Sequence, residues 1–239
     1  MRRLRAIAFA WWAAIITIVC FTLAMLALLL GPRSARISHR VAATWGRLLL
    51  WGGGLRVRVE GPGTLDPNAT RMIVANHASY LDPPAMLAAH PGQIRFMLKK
   101  ELMRLPFIGW YTKASGHFLV DRENPREGKR LLDQAVERAK RYNLNPMVFP
   151  EGTRTRDGKL AEFRNGAFQL ALSAGLEVQP VAILGTYERM PRGSIGPNRG
   201  GDIIIRVGEP LSVEGLKGNP GRKIISAQVE AALRELGVA

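Results

Sequence analysis

Met72-Ile73-Val74-Ala75-Asn76-His77-Ala78-Ser79-Tyr80-Leu81-Asp82-Pro83-Pro84 passes from four apolar residues through a polar turn into a pair of prolines. A short apolar run bounded by turn residues is the pattern of a buried strand, and proline suits the first turn of a helix. The stretch therefore predicts a strand over 72–75, a turn, and a helix over 83–90. Outward from it the same alternation recurs. Apolar or β-branched runs at 55–59, 94–98, 117–120, 146–149, 178–184 and 203–207 predict further strands, and helical patterns fall at 125–142, 163–174 and 219–236. Strands alternating with helices predict an α/β domain whose central sheet is mostly parallel and flanked by helices. In the 125–142 segment, Leu131, Leu132, Ala135, Val136 and Ala139 share one face, so this helix is expected to lay one side on the sheet. The Gly- and Pro-rich stretch 190–201 reads as a surface loop between two strands.

The N-terminus has a different character. Residues 6–30 carry no charge and are dominated by Ala, Ile, Leu, Phe and Trp, which exceeds the ~20 apolar residues that a helix needs to cross a bilayer core. The run is also longer than the ~7–15 residues of a signal-peptide core, and Gly31-Pro32-Arg33 is not a small-residue cleavage site. A second apolar segment, 41–54, holds Trp45 and Trp51 but is interrupted by Arg47, which suits an interfacial helix. Both segments fit a membrane-embedded helical hairpin in one leaflet; a single-span anchor followed by a linker is the simpler alternative. The expected division is a membrane-associated segment over 1–54 and a catalytic domain over 55–239. The 239 residues carry 34 Lys and Arg against 19 Asp and Glu, a formal charge of +15 that favours anionic partners. Cys20, the single cysteine, lies within the apolar run and excludes an intrachain disulfide.

Polar constellations follow three of the predicted strands: Asn76, His77 and Asp82 after 72–75, Asp121-Arg122 after 117–120, and Glu151-Gly152-Thr153-Arg154 after 146–149. Ligands of open parallel sheets bind beyond the carboxyl ends of strands, so these groups are expected to converge. His77 and Asp82 would stand about 140° apart on a continuous helix, so contact requires the bend that Pro83-Pro84 supplies. If the carboxylate reaches the imidazole, it sets the tautomer and leaves the other nitrogen to take a proton from an alcohol. Otherwise Asp82 is an N-cap of the following helix. The chain holds no Gly-x-Ser-x-Gly elbow, and Ser79 lacks separate support as a nucleophile, so the attacking hydroxyl is expected to be the substrate's own. Arg122 and Arg154 have planar forks suited to phosphate. Gly152 permits close backbone approach, whereas Glu151 either orients a ligand group or caps a helix. Neither a P-loop spacing nor a His-Glu-x-x-His segment is present, and no metal or other cofactor is expected.

Across residues 71–185 these segments resemble, in order and approximate spacing, the 1-acyl-sn-glycerol-3-phosphate acyltransferase family. Its Asn-His-x-x-x-x-Asp block matches Asn76, His77 and Asp82. Its Gly, strand and Arg block matches Gly116 through Arg122. Phe-Pro-Glu-Gly-Thr-Arg is intact as Phe149 to Arg154, and its Pro within an apolar strand matches Pro180. The resemblance implies the glycerol-3-phosphate acyltransferase-like fold and a reaction in which His77, supported by Asp82, deprotonates the free hydroxyl of a lysophosphatidic acid that attacks an acyl thioester. Acyl-CoA or acyl carrier protein would be the co-substrate. Asn76, Arg122, Glu151, Gly152, Thr153 and Arg154 would form the acceptor site, and Lys100 would stabilise the thioester oxyanion. His117, where the family commonly has an aliphatic residue, is expected to serve packing or rim polarity rather than to act as a second base. Membrane lipid is the implied partner, with the catalytic domain on the cytoplasmic face of a bacterial inner membrane. A relative acylating another lysolipid or glycerol 3-phosphate would share these blocks. A tethered binder of nucleic acid would leave them unexplained, so no nucleic acid is expected.

Overall fold

The computed structural model describes residues 2–28, 34–104, 108–121, 124–164 and 166–239. Two helices, α1 (Arg2–Leu28) and α2 (Ser34–Gly52), precede strand β1 (Leu55–Glu60). Then come β2 (Met72–Ala75), α3 (Asp82–Ala89), β3 (Ile94–Lys99), a 3-10 turn at Lys100–Arg104, α4 (Ile108–Ser115), β4 (Phe118–Val120) and α5 (Pro125–Tyr142). The chain continues through β5 (Asn145–Val148), α6 (Gln169–Ala174), β6 (Val178–Leu184), α7 (Thr186–Arg189), β7 (Gly201–Val207) and α8 (Gly218–Glu235). All seven predicted strands are present, within two residues at each end.

The sheet order is β1-β7-β6-β2-β5-β3-β4. Every neighbouring pair is parallel except β6 with β7, which run antiparallel, so the expected mostly parallel sheet is found with one reversed pairing. Because side chains alternate across a strand, Met72 and Val74 face one side while Ile73 and Ala75 face the other. On the first side they join Ala135 and Ala139 of α5, Leu170 of α6 and Ile225 and Val229 of α8. On the second they join Leu50 of α2, Ala85 and Met86 of α3, and Ile203 and Ile205 of β7. The edge strand β1 exposes Arg56 and Arg58, both paired with Asp202 of β7, and such charges discourage edge-to-edge association.

Helix α2 starts at Ser34, well before the apolar segment that announced it at 41. It runs antiparallel to α1: Arg5 donates to the Gly53 carbonyl, Trp12 to the Leu48 carbonyl, and Trp45 to the Thr17 hydroxyl. The two helices thus pair side by side, with Phe9, Ile16 and Leu49 buried between them. Gly46 brings α2 against α3, since a Cβ there would lie 2.6 Å from the Pro84 carbonyl oxygen. The opposite side of α1 exposes Leu4, Ile7, Trp11, Ile15, Ile18, Leu23 and Leu26.

Helix α5 matches its expected bounds because both ends are specified locally. Asn124 caps the amides of Arg126 and Glu127, Pro125 opens the first turn, and Asn143 closes the helix at φ 48°. The expected helix over 163–174 is shorter than its pattern: among the described residues of that span only Gln169–Ala174 are helical. The Arg164 amide donates instead to the Pro150 carbonyl at 2.9 Å, and Gly166 weakens any helix across this point. The sequence pattern also missed α4 and the four-residue α7, whose lengths are too short to show a period.

Candidate active site

Strand order explains why distant polar residues meet. β5 and β6 flank β2, with Val74 beside Val148 and Ala75 beside Val181, so the chain segments leaving all three strands emerge together. Asn76 continues β2 and is held at both ends of its amide: Nδ2 donates to the Ile183 carbonyl at 3.0 Å, and Oδ1 accepts from the Ile183 amide at 2.7 Å. Its role is to set the exit angle of the following turn; it is not presented to a ligand.

His77 Nδ1 lies 2.7 Å from Asp82 Oδ2. The same oxygen accepts from the Ala78 and Ser79 amides at 2.7 and 2.8 Å, while Oδ1 accepts from the Thr186 hydroxyl at 2.6 Å. An oxygen receiving two amide protons is committed as an acceptor, so Nδ1 carries the imidazole proton and Nε2 holds a lone pair. Asp82 is therefore not the N-cap. Leu81 occupies that position with no side-chain cap, and Asp82, the first residue of α3, turns its carboxylate back onto the 77–79 turn. The two prolines that follow lack the amides a cap would serve. Asp82 is fully buried, whereas the His77 side chain is 17% exposed. The Phe149 ring stacks on the imidazole with centroids 4.1 Å apart, restricting its rotation.

Glu151 has its carboxylate turned inward, to the backbone, instead of outward to a ligand. Oε1 accepts from the His77 amide at 2.7 Å and Oε2 from the Ala161 amide at 3.0 Å. Burial pushes its carboxyl above the ordinary range, and those two amides act against that rise. The Thr155 amide donates to the His77 carbonyl at 2.9 Å, so both backbone polar groups of His77 are tied to the segment after β5. Gly152, at φ 72°, makes the sharp turn that this requires. Thr153 is exposed, and Arg154 lies over the Tyr80 ring. Ser79 donates to the Met190 carbonyl at 2.6 Å and is fully buried, which removes it as a nucleophile.

A cavity of about 960 Å³ opens beside His77, a size at the upper end of the ~300–1,000 Å³ usual for small-molecule sites. Met97, Leu98, Leu119, Leu132 and Phe149 give it apolar walls, and Lys99, Lys129 and Arg164 add cations. Lys100 is not among its lining. Its Nζ bonds Asp121 Oδ2 at 3.0 Å and it borders a separate pocket of about 250 Å³ with Glu101 and Arg104. Lys99 ends β3, whereas Lys100 opens the 3-10 turn that follows it, where its ammonium pairs with Asp121. Arg122 lies outside the described residues. β4, the strand before it, stands three strands from β2, roughly 14 Å of sheet.

Two further residues belong to the site. Arg164 lines the cavity and donates through Nε to the Glu151 carbonyl; nothing local in the sequence marks it. Thr186 supports Asp82, and its place two residues beyond strand 178–184 was the available signal. Replacing Thr186 by valine removes one donor to a buried carboxylate. We expect kcat to fall about tenfold with little change in KM, and a serine replacement to restore most of it, as steady-state kinetics would record.

His117 packs as expected. Its Nδ1 accepts from the Phe96 amide at 3.0 Å, and the ring stacks on Phe96. Burial, reinforced by the nearby Arg95 guanidinium, pushes its imidazole down to about 3, and burial pushes His90 down to about 4. Both values lie below the ordinary histidine range, so the fold favours the neutral rings. Their contribution is complete above about pH 6.5 and is lost as pH falls toward 4 and then 3. Denaturation of the full chain in detergent should show stability declining across that window. In His117→Phe the decline should be shallower, by up to ~1.4 kcal/mol per pH unit. An unchanged slope would remove His117 from the account.

The acyltransferase family model matches residues 56–184. A chloroplastic 1-acyl-sn-glycerol-3-phosphate acyltransferase of Arabidopsis thaliana is 30% identical over 185 residues, covering 77% of this chain and 51% of that protein. A 1-acyl-sn-glycerol-3-phosphate acyltransferase of Saccharomyces cerevisiae is 32% identical over 190 residues, covering 77% of this chain and 62% of that protein. The chain thus spans about half to two thirds of the length of such relatives. The crystal structure of the 1-acyl-sn-glycerophosphate (LPA) acyltransferase PlsC from Thermotoga maritima superposes with a TM-score of 0.79 at 25% identity, covering 100% of this chain and 99% of that one. With the family model matched over more than half of its 239 residues and a histidine-aspartate pair held at the strand ends, this chain belongs to the acyltransferase family.

Proposed function

We propose that the protein transfers an acyl group from an acyl thioester to the free hydroxyl of 1-acyl-sn-glycerol 3-phosphate, forming phosphatidic acid. The observation that carries this reading is the His77 to Asp82 contact at 2.7 Å, which leaves Nε2 as a base at the cavity. His77 Nε2 takes the hydroxyl proton as the substrate oxygen attacks the thioester carbonyl carbon. The tetrahedral intermediate then expels the thiolate, and the imidazolium returns the proton to it, releasing a free thiol. Asp82 stabilises the imidazolium while it exists.

In this reading the apolar cavity takes an acyl chain, and the 152–154 turn receives the acceptor's phosphate through Gly152, Thr153 and Arg154. Arg122 is retained as a second cation for that phosphate. Glu151 and Asn76 serve by fixing the backbone of the base. The donor is acyl-CoA or an acyl carrier protein thioester. A lipid-resident acceptor agrees with the α1 to α2 hairpin: residues Leu4–Ala27 are apolar enough for a bilayer, with mean hydropathy 2.2, and the outer face of α1 is unpartnered apolar surface. We place this hairpin in lipid, with the catalytic domain on the cytoplasmic face.

Thiol release by the full chain in lipid vesicles tests the reading. Each donor would be supplied alone, with lysophosphatidic acid, with glycerol 3-phosphate and with a lysophosphatidylcholine. Release that depends on lysophosphatidic acid and yields phosphatidic acid is expected. Release driven equally by the other acceptors, or none with either donor, would overturn it.

A further inference from the structure

The turn that carries His77 is buried at Ala78, Ser79, Leu81 and Asp82, yet Tyr80 is 61% exposed. The Arg154 Cζ lies 3.4 Å from the centroid of its ring. A guanidinium carbon so close must lie face to face with the ring, because a nitrogen pointed at the ring would fall inside contact distance. Stacking uses the flat face of the guanidinium and leaves its N–H fork free in the plane. Among the described residues the Arg154 side chain has no hydrogen-bond or ion-pair partner, unlike Arg164, whose Nε is engaged by the Glu151 carbonyl. The chain on both sides of this stack is tied to His77. Arg154 precedes Thr155, whose amide bonds the His77 carbonyl, and Tyr80 follows His77 by three residues.

We propose that Tyr80 is a positioning residue for the acceptor: its ring fixes the plane of the Arg154 guanidinium so that the fork meets a phosphate monoester beside the base. An aromatic shelf lowers the rotamer freedom that a long arginine would lose on binding phosphate. This inference rests on the reading that Arg154 binds the acceptor's phosphate.

The test is steady-state kinetics of the full chain in mixed micelles against lysophosphatidic acid, with thermal midpoints taken in parallel. Stacking at an exposed site corresponds to about a two- to fivefold rise in KM for Tyr80→Leu and for Tyr80→Gln, with kcat and thermal midpoint near those of the parent. Tyr80→Phe keeps the ring and should keep KM. Arg154→Ala loses charge-assisted bonds and should raise KM about tenfold or more, and adding Tyr80→Leu to it should raise KM no further. If Arg154→Ala leaves KM unchanged, the acceptor reading of that arginine falls and this proposal with it. If Arg154→Ala raises KM while Tyr80→Leu and Tyr80→Gln do not, Tyr80 alone is wrongly assigned. A fall in kcat at constant KM in the Tyr80 variants, or an equal effect of Tyr80→Leu with and without Arg154, overturns the coupling.

Discussion

His77→Ala is expected to lower kcat by about 10²–10⁴-fold, the range typical of a general base, while protein yield and thermal midpoint stay near those of the parent. The argument is geometric. His77 lines the cavity and its Nδ1 is engaged by Asp82, so Nε2 is left with a lone pair for an alcohol proton. Ser79, the other candidate in the turn, spends its hydroxyl on the Met190 carbonyl. The fold should tolerate the change because the backbone of residue 77 is held by Glu151 and Thr155 through amide and carbonyl groups that alanine retains. Thiol release measured with saturating donor and acceptor checks it. Turnover within tenfold of the parent would show that the proton leaves by another route.

Asp82→Asn should come next in size, with kcat down about 10²–10³-fold and only a modest loss of stability. Three donors converge on Oδ2, from His77, Ala78 and Ser79, and one on Oδ1, from Thr186. An asparagine can keep its oxygen toward the three donors and turn its NH₂ toward the Thr186 oxygen, which is able to accept. The local structure and the imidazole tautomer therefore survive, and what disappears is the negative charge facing the imidazolium. Asp82→Ala, by contrast, leaves those donors buried without a partner and should also lower the thermal midpoint. Comparing kcat with thermal midpoint across the two variants separates the electrostatic contribution from the structural one. A near-parental kcat for Asp82→Asn would reduce Asp82 to a scaffold.

Much of the chemistry was legible along the chain because it is local. Asn76, His77 and Asp82 lie in one turn, and Phe149 to Arg154 in another, each following an apolar run whose ends are unmistakable. Helix α5 was legible for a similar reason, since its cap, its proline and its apolar stripe all lie within the segment itself. The failures share a cause too. Residues 163–168 look helical by composition, but Arg164 is claimed by Pro150 from another part of the chain. The partner of Lys100, Asp121, is likewise 21 positions away, a pairing that no local pattern announces.

By itself the sequence determined the alternation of strand and helix, the apolar N-terminal helix and the residue types at each strand end, because hydrophobic period and turn chemistry are properties of short segments. Only the tertiary structure decided that β5 and β6 would flank β2. That order rests on hydrogen bonds between strands far apart in the chain, which no local period encodes. From it follow Thr186 on Asp82, Glu151 on the amide of His77, and Arg154 stacked over Tyr80.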